Sequence, residues 1–157
     1  IRARAPEVWD INDPQKKNQW GSLVHTVLSE ITTINDLEKV MDEVSSSGMI
    51  NESDKERLQR TIHEILNNAA TRHLFAEDVK VRKETEILVK DGHTLRPDRV
   101  ILDGDHVTLI DYKTGKPDEK HERQLREYEQ RLLEMGYKEI RKLLLYTAPE
   151  VRLIEIS

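Results

Sequence analysis

The sequence has 157 residues, a length that suits one domain and leaves no room for a motor enzyme beside a second catalytic unit. Lys plus Arg number 25 and Asp plus Glu 30, a formal charge of −5 that argues against a generic basic nucleic-acid-binding protein. With no cysteine, disulfides, Cys-ligated zinc, iron–sulfur clusters and a thiol nucleophile are excluded, and no apolar run approaches the roughly 20 residues of a membrane-spanning helix.

The chain opens Ile1-Arg2-Ala3-Arg4 without an initiator Met or a signal region, and the expectation is a piece of a longer protein or a processed one. Trp9 and Trp20 read as packing or interdomain residues. From Trp20 to Ile31, Leu23, Val24, Val27, Leu28 and Ile31 recur at spacings of three and four, which predicts an amphipathic helix. Asn35 or Asp36 can cap a second helix carrying Leu37, Val40, Met41 and Val44, ended by Ser45 to Gly48. Ser53 with Glu56 resembles a capping box for a third helix, whose apolar face is Leu58, Ile62, Ile65 and Leu66. Ala69 to Phe75 is a short fourth helix or a turn.

The period then changes. Val79, Val81, Ile87 and Val89 predict a strand ended by the turn signal Asp91-Gly92. Leu95 to Leu102 is a second strand, interrupted by Pro97, and Asp103-Gly104 is a second hairpin turn. Val107 to Tyr112 is a third strand, rich in β-branched and aliphatic residues. Asp118 can cap a long helix to Met135, closed by Gly136. Leu143 to Tyr146 and Val151 to Ile156 are two further strands. The expected class is α/β: a mainly helical lead-in over 1–75 and an αβ core over 76–157, with helices covering a mixed sheet in one domain.

The densest chemistry lies in the second hairpin. Alternation along a strand puts Asp111 and Lys113 on one face, with Ile110 and Tyr112 on the other. A turn at Asp103-Gly104 brings Asp98 opposite the Asp111 end of its partner strand, so that two carboxylates and a lysine converge. Hard oxygen ligands of this kind suit Mg²⁺ or Mn²⁺, which activates water and neutralises charge on a phosphodiester. The spacing Pro97-Asp98, then Asp111-x-Lys113 thirteen positions on, resembles the signature of the PD-(D/E)XK nuclease superfamily. Three more features resemble its RecB-type branch: Gly21-Ser22-Leu23-Val24-His25 as a Gly-x-x-x-His segment, Glu86 in the first strand, and Gln124-Leu125-Arg126-Glu127-Tyr128 as a Gln-x-x-x-Tyr helix. Their order is the family's order, and they span residues 20 to 147.

The resemblance implies a restriction-endonuclease-like core, like that of the C-terminal nuclease domain of AddA- or RecB-type helicase–nucleases. It implies that Asp98, Asp111 and His25 hold the metal together with the backbone carbonyl of Tyr112, and that Lys113 orients the attacking water. Read as a residue alone, His25 is a packed helix histidine; the ligand reading comes from the resemblance. An imidazole ligand accepts Mn²⁺ more readily than Mg²⁺. Glu86 assists in the same picture, ranked above Glu84 on alignment alone. Gln124 and Tyr128 share a helix face; it is either an ordinary amphipathic stripe or, as the resemblance implies, the DNA-contacting face. His63, His73, His93, His106 and His121 read as surface residues.

The expected activity is metal-dependent DNA hydrolysis by an exonuclease, on single-stranded DNA delivered by an attached helicase motor, with a second helicase–nuclease subunit as a further partner. The implied setting is recombinational double-strand-break repair in the bacterial cytoplasm, with no membrane partner. No Gly-x-x-x-x-Gly-Lys-Ser/Thr loop occurs in the 157 residues, so the motor must lie elsewhere. The absent cysteines place the chain with cluster-free members of the branch. Two other readings stay open: an inactive DNA-binding or scaffold module of the same fold, and a stand-alone restriction or repair endonuclease. Asp98, Asp111 and Lys113 are all retained, which weighs against the first. The Gln-x-x-x-Tyr helix weighs against the second.

Overall fold

The computed structural model describes residues 14–83, 87–88 and 94–157. Helix α1 (Pro14–Glu30) starts on a proline, whose missing N–H costs nothing in a first helical turn. A 3-10 turn (Ile34–Asp36) leads into α2 (Leu37–Ser46), and α3 (Glu52–Asn67) follows. The α3 cap is Asn51, not Ser53: its side chain accepts the Asp54 N–H at 2.8 Å. Asp36 stands at the N-cap of α2, but its carboxylate turns back to accept the Thr32 and Thr33 N–H groups. The Ala69–Phe75 segment resolves into a 3-10 turn at Arg72–Phe75.

Five strands form the main sheet in the order β1-β4-β5-β6-β7: β1 (Val81–Lys83), β4 (Arg99–Asp103), β5 (His106–Lys113), β6 (Glu139–Tyr146) and β7 (Arg152–Ile156). β5 and β6 run parallel and the other neighbours antiparallel, so the sheet is mixed. The parallel pair needs a crossover, which α4 (Glu119–Glu134) supplies. Asp118 caps α4, accepting the Lys120 N–H at 2.9 Å. Gly104 takes φ +63° in the tight turn between Asp103 and His106. A left-handed conformation there suits a residue without Cβ.

Two sequence expectations change here. Ile87–Leu88 (β2) does not continue β1 into the sheet; it pairs with Thr94–Leu95 (β3) in a separate two-stranded sheet. The expected strand from Leu95 to Leu102 is accordingly broken, with Leu95 in the small sheet and Arg99 onward in the large one. Pro97 lies at the break and has no N–H to give to a ladder. Glu86 and the Asp91-Gly92 turn lie outside the described residues.

Each face of the main sheet has its own cover. Ile110, Tyr112, Leu143 and Leu145 pack into one cluster with Leu23, Val24, Val27, Leu58 and Ile62 of α1 and α3. On the other face, Val107, Leu109, Leu144 and Tyr146 meet Leu125 and Leu132 of α4. Lys142 lies buried on that second face and pairs with Glu129 of α4.

Arg99 ties the helical layer to the sheet. It is fully buried. Its Nε donates to the Leu74 carbonyl at 3.1 Å, one terminal nitrogen to Ile31 O at 2.7 Å, and the other to Thr32 O. The guanidinium carbon lies 4.3 Å from the centre of the Phe75 ring. Two of the three carbonyls directly follow α1, where the helix dipole is negative, so the cation is matched by dipoles and a ring face. Burial still pulls its pKa down from the arginine range, opposed by the Tyr112 hydroxyl and Asp36. Arg99→Met strands two buried carbonyls and a half-buried one and is expected to lower unfolding stability by on the order of 3 kcal/mol, measured by urea denaturation; an unchanged midpoint would remove Arg99 from this role.

Candidate active site

The β4–β5 register pairs Arg99 with Ile110, which puts Asp98 beside Asp111 where β4 begins and β5 nears its end. There, side chains take over from the ladder. The Asp98 N–H donates to Asp111 Oδ1 at 3.1 Å, and the Tyr112 N–H donates to Asp98 Oδ2 at 2.8 Å. From α1, His25 Nε2 reaches Asp98 Oδ1 at 2.9 Å, and its ring stands edge-on to Tyr112 with centres 5.7 Å apart. Lys113 Nζ donates to Gln124 Oε1 at 3.0 Å, and Gln124 Nε2 donates to the Tyr128 hydroxyl at 3.0 Å. Tyr128 also packs against the core under α4. The sheet and two helices thus bring His25, Asp98, Asp111, Tyr112, Lys113, Gln124 and Tyr128 together at the carboxyl ends of the parallel strands. Crevices outside such strand ends are where ligands bind in open α/β sheets.

Gly21 explains the first half of the Gly-x-x-x-His spacing. A Cβ built on it would lie 2.9 Å from Thr114 Cγ2 and 3.1 Å from Thr114 Oγ1. Its bare backbone lets α1 press against the residue after Lys113, and one helical turn later His25 arrives at Asp98. An open cavity of about 380 Å³ lies in front, lined by His25, Lys113, Ser22, Thr147 and also His121. His121 was expected on the surface; instead its ring lines this cavity, with Nδ1 2.9 Å from the Tyr146 hydroxyl. The signal available in the sequence was its place three residues before Gln124 and seven before Tyr128, on one helix face.

Asp111 is only 2 % exposed, and its Oδ2 has no hydrogen-bond partner. Burial, reinforced by the Asp98 charge, pushes its pKa up to about 6, against the Asp98 N–H, Lys113 and His25, which lower it. Among the described residues, no group of three or more His, Asp or Glu side chains is arranged to hold an ion as it stands. His25 and Asp98 are instead hydrogen-bonded to each other. The donor chemistry nevertheless fits a hard divalent cation: two carboxylates, one imidazole nitrogen, and a buried carboxylate oxygen with nothing else to satisfy it.

Two carboxylates, a lysine and a cavity thus meet at one strand-end crevice. The sequence profile of the PD-(D/E)XK nuclease superfamily matches residues 2–147, nearly the whole chain, and the chain belongs to that superfamily. No curated protein matches it. Among solved structures, the one described as "Crystal structure of SSO0001" is similar at 18 % identity and a TM-score of 0.36, covering 94 % of this chain and 80 % of that one. So distant a likeness adds nothing to the argument.

Two measurements test the geometry. Because folded Asp111 binds its proton more tightly than an ordinary aspartate near 3.8, its contribution to stability is full below that pH and is lost as pH rises through about 6. In metal-free protein at pH 8, Asp111→Asn is therefore expected to raise unfolding stability by on the order of 3 kcal/mol, and no gain would mean the carboxylate is not strained. Separately, Gly21→Ala should depress metal-dependent activity by moving α1 off Thr114, and Thr114→Ala in the same molecule should restore most of it. Loss without restoration would place the fault elsewhere.

Proposed function

We propose that this chain is the nuclease domain of a RecB-type helicase–nuclease. It would cut DNA exonucleolytically during bacterial double-strand-break repair, in the cytoplasm, on single strands passed from an attached motor and beside a second subunit. The observation that carries the nuclease chemistry is the convergence of Asp98, Asp111 and a tethered Lys113 at one strand-end crevice. In support of one domain, helices α1 to α3 share their hydrophobic core with strands β5 and β6. The finer assignment to a helicase partner rests on the ordered Gly21/His25 and Gln124/Tyr128 segments. It is also consistent with an acidic chain that lacks a phosphate-binding loop of its own.

Asp98, Asp111 and His25, with the Tyr112 carbonyl, would hold Mg²⁺ or Mn²⁺. When bound, such a cation lowers the pKa of water and offsets charge on the phosphate. The residues of the chain do the rest. Asp98 is held by the Tyr112 N–H and Asp111 by the Asp98 N–H, so neither carboxylate is free to swing. Lys113 is aimed by Gln124, which Tyr128 in turn holds in one amide orientation. The ammonium group orients the attacking water and stabilises the added charge on phosphorus as the water oxygen bonds to it. The P–O3′ bond breaks on the opposite side; the attacking water gives up a proton to solvent and O3′ takes one from solvent, leaving a 5′-phosphate and a 3′-hydroxyl.

Cleavage of labelled single-stranded and duplex DNA with Mg²⁺ or Mn²⁺ tests this. Lys113→Ala should lower kcat on the order of 10²- to 10³-fold. Gln124→Ala should have a smaller effect of the same sign, because the lysine remains but loses its guide. Wild-type protein that cuts no DNA form with either metal would contradict the proposal.

A further inference from the structure

His121 belongs to none of the motifs that define the site, yet it lines the same cavity as Lys113 and His25. We propose that His121 is a substrate-contacting residue whose Nε2–H donates to a non-bridging oxygen of a DNA phosphate seated beside Lys113. The inference rests on the nuclease reading and extends it to a specific phosphate contact.

Three observations carry it. First, the ring is anchored from behind. Its Nδ1 meets the Tyr146 hydroxyl at 2.9 Å, and Tyr146 is buried at the end of β6, directly opposite Lys113 in the parallel register. The next residue, Thr147, donates its N–H to the Lys113 carbonyl at 2.9 Å, so the anchor and the lysine belong to one rigid strand pair. Second, the anchor bears on the tautomer: in this proposal the Tyr146 hydroxyl donates and Nδ1 accepts. The Tyr146 phenol carries its proton at neutral pH, and burial raises its pKa further. A phenol that donates to Nδ1 leaves the ring proton on Nε2. Third, no hydrogen bond among the described residues engages Nε2, while the half-buried ring forms part of the cavity wall. Burial and the nearby Lys113 charge lower the His121 pKa against Asp118, which raises it, a balance that favours the neutral ring.

The placement also suits a strand of DNA. His121 stands in the first turn of α4, one turn before Gln124. A phosphate reaching Lys113 therefore passes this ring, where one N–H donor supplements the lysine charge.

The test compares wild type, His121→Ala, His121→Gln and Tyr146→Phe on a single-stranded oligonucleotide with Mn²⁺, reading KM and kcat separately. Loss of the phosphate contact predicts KM about tenfold higher for His121→Ala, with kcat little changed. His121→Gln, which keeps an N–H donor at similar reach, should recover most of the loss. Tyr146→Phe should fall between, since the ring remains but its tautomer is no longer held. A methylphosphonate at the contacted phosphate removes the anionic oxygen and should erase the difference between wild type and His121→Ala. If wild type cuts DNA and His121→Ala has the same KM, the contact is refuted while the nuclease reading stands. If wild type cuts nothing, both fall together.

Discussion

The burial of Arg99 is the constraint on which the arrangement depends. A guanidinium with no exposure to water must find acceptors for a rigid fork of donors. It finds them in Ile31 and Thr32 at the end of α1 and in Leu74 before the sheet begins. Arg99 follows Asp98 in the chain, so the residue that fixes where α1 ends is covalently joined to the one that receives His25 from the same helix. The Gly21 contact with Thr114 pins the other end of that helix segment to the residue that follows β5. Two contacts, one polar and one steric, thus set the distance between an imidazole and a carboxylate that are 73 positions apart in the sequence.

The electrostatics have the same local character. A chain of charge −5 is a poor generic binder of polyanions. At the crevice the balance differs: Lys113 faces the cavity, and the buried Asp111 and half-buried Asp98 carboxylates lie beside it, donors of the kind a hard cation takes. Burial and the Asp98 charge push the Asp111 pKa up to about 6, so its ionised form is disfavoured relative to an ordinary aspartate. That is a cost which a divalent ion would offset. Activity and stability are in tension at this position, as expected where a site holds groups that a core would reject.

The sequence made the chemistry legible where it was periodic or locally spaced. Strand alternation and the position of the Asp103-Gly104 turn were sufficient to bring Asp98 to Asp111, and helical periodicity sufficed for the Gln124/Tyr128 face. Contacts between residues remote in sequence were not legible. Arg99 and Lys142 carry no local sign of their burial, and His121 read as a surface histidine. Nothing local distinguishes a buried charge from an exposed one when its acceptors are backbone carbonyls or a residue on another element. The split of the expected strand at Pro97 was signalled by the proline, but the pairing of β2 with β3 depends on long-range competition between sheets that propensity does not record.

The central claim is that Asp98, Asp111 and His25 form one cation site served by Lys113. Anomalous scattering from crystals equilibrated with Mn²⁺ measures this most directly. The account predicts a manganese peak bonded to both carboxylates and to His25 Nε2, with the 2.9 Å His25–Asp98 hydrogen bond replaced. A peak elsewhere on the protein, or none while that hydrogen bond persists, would contradict it.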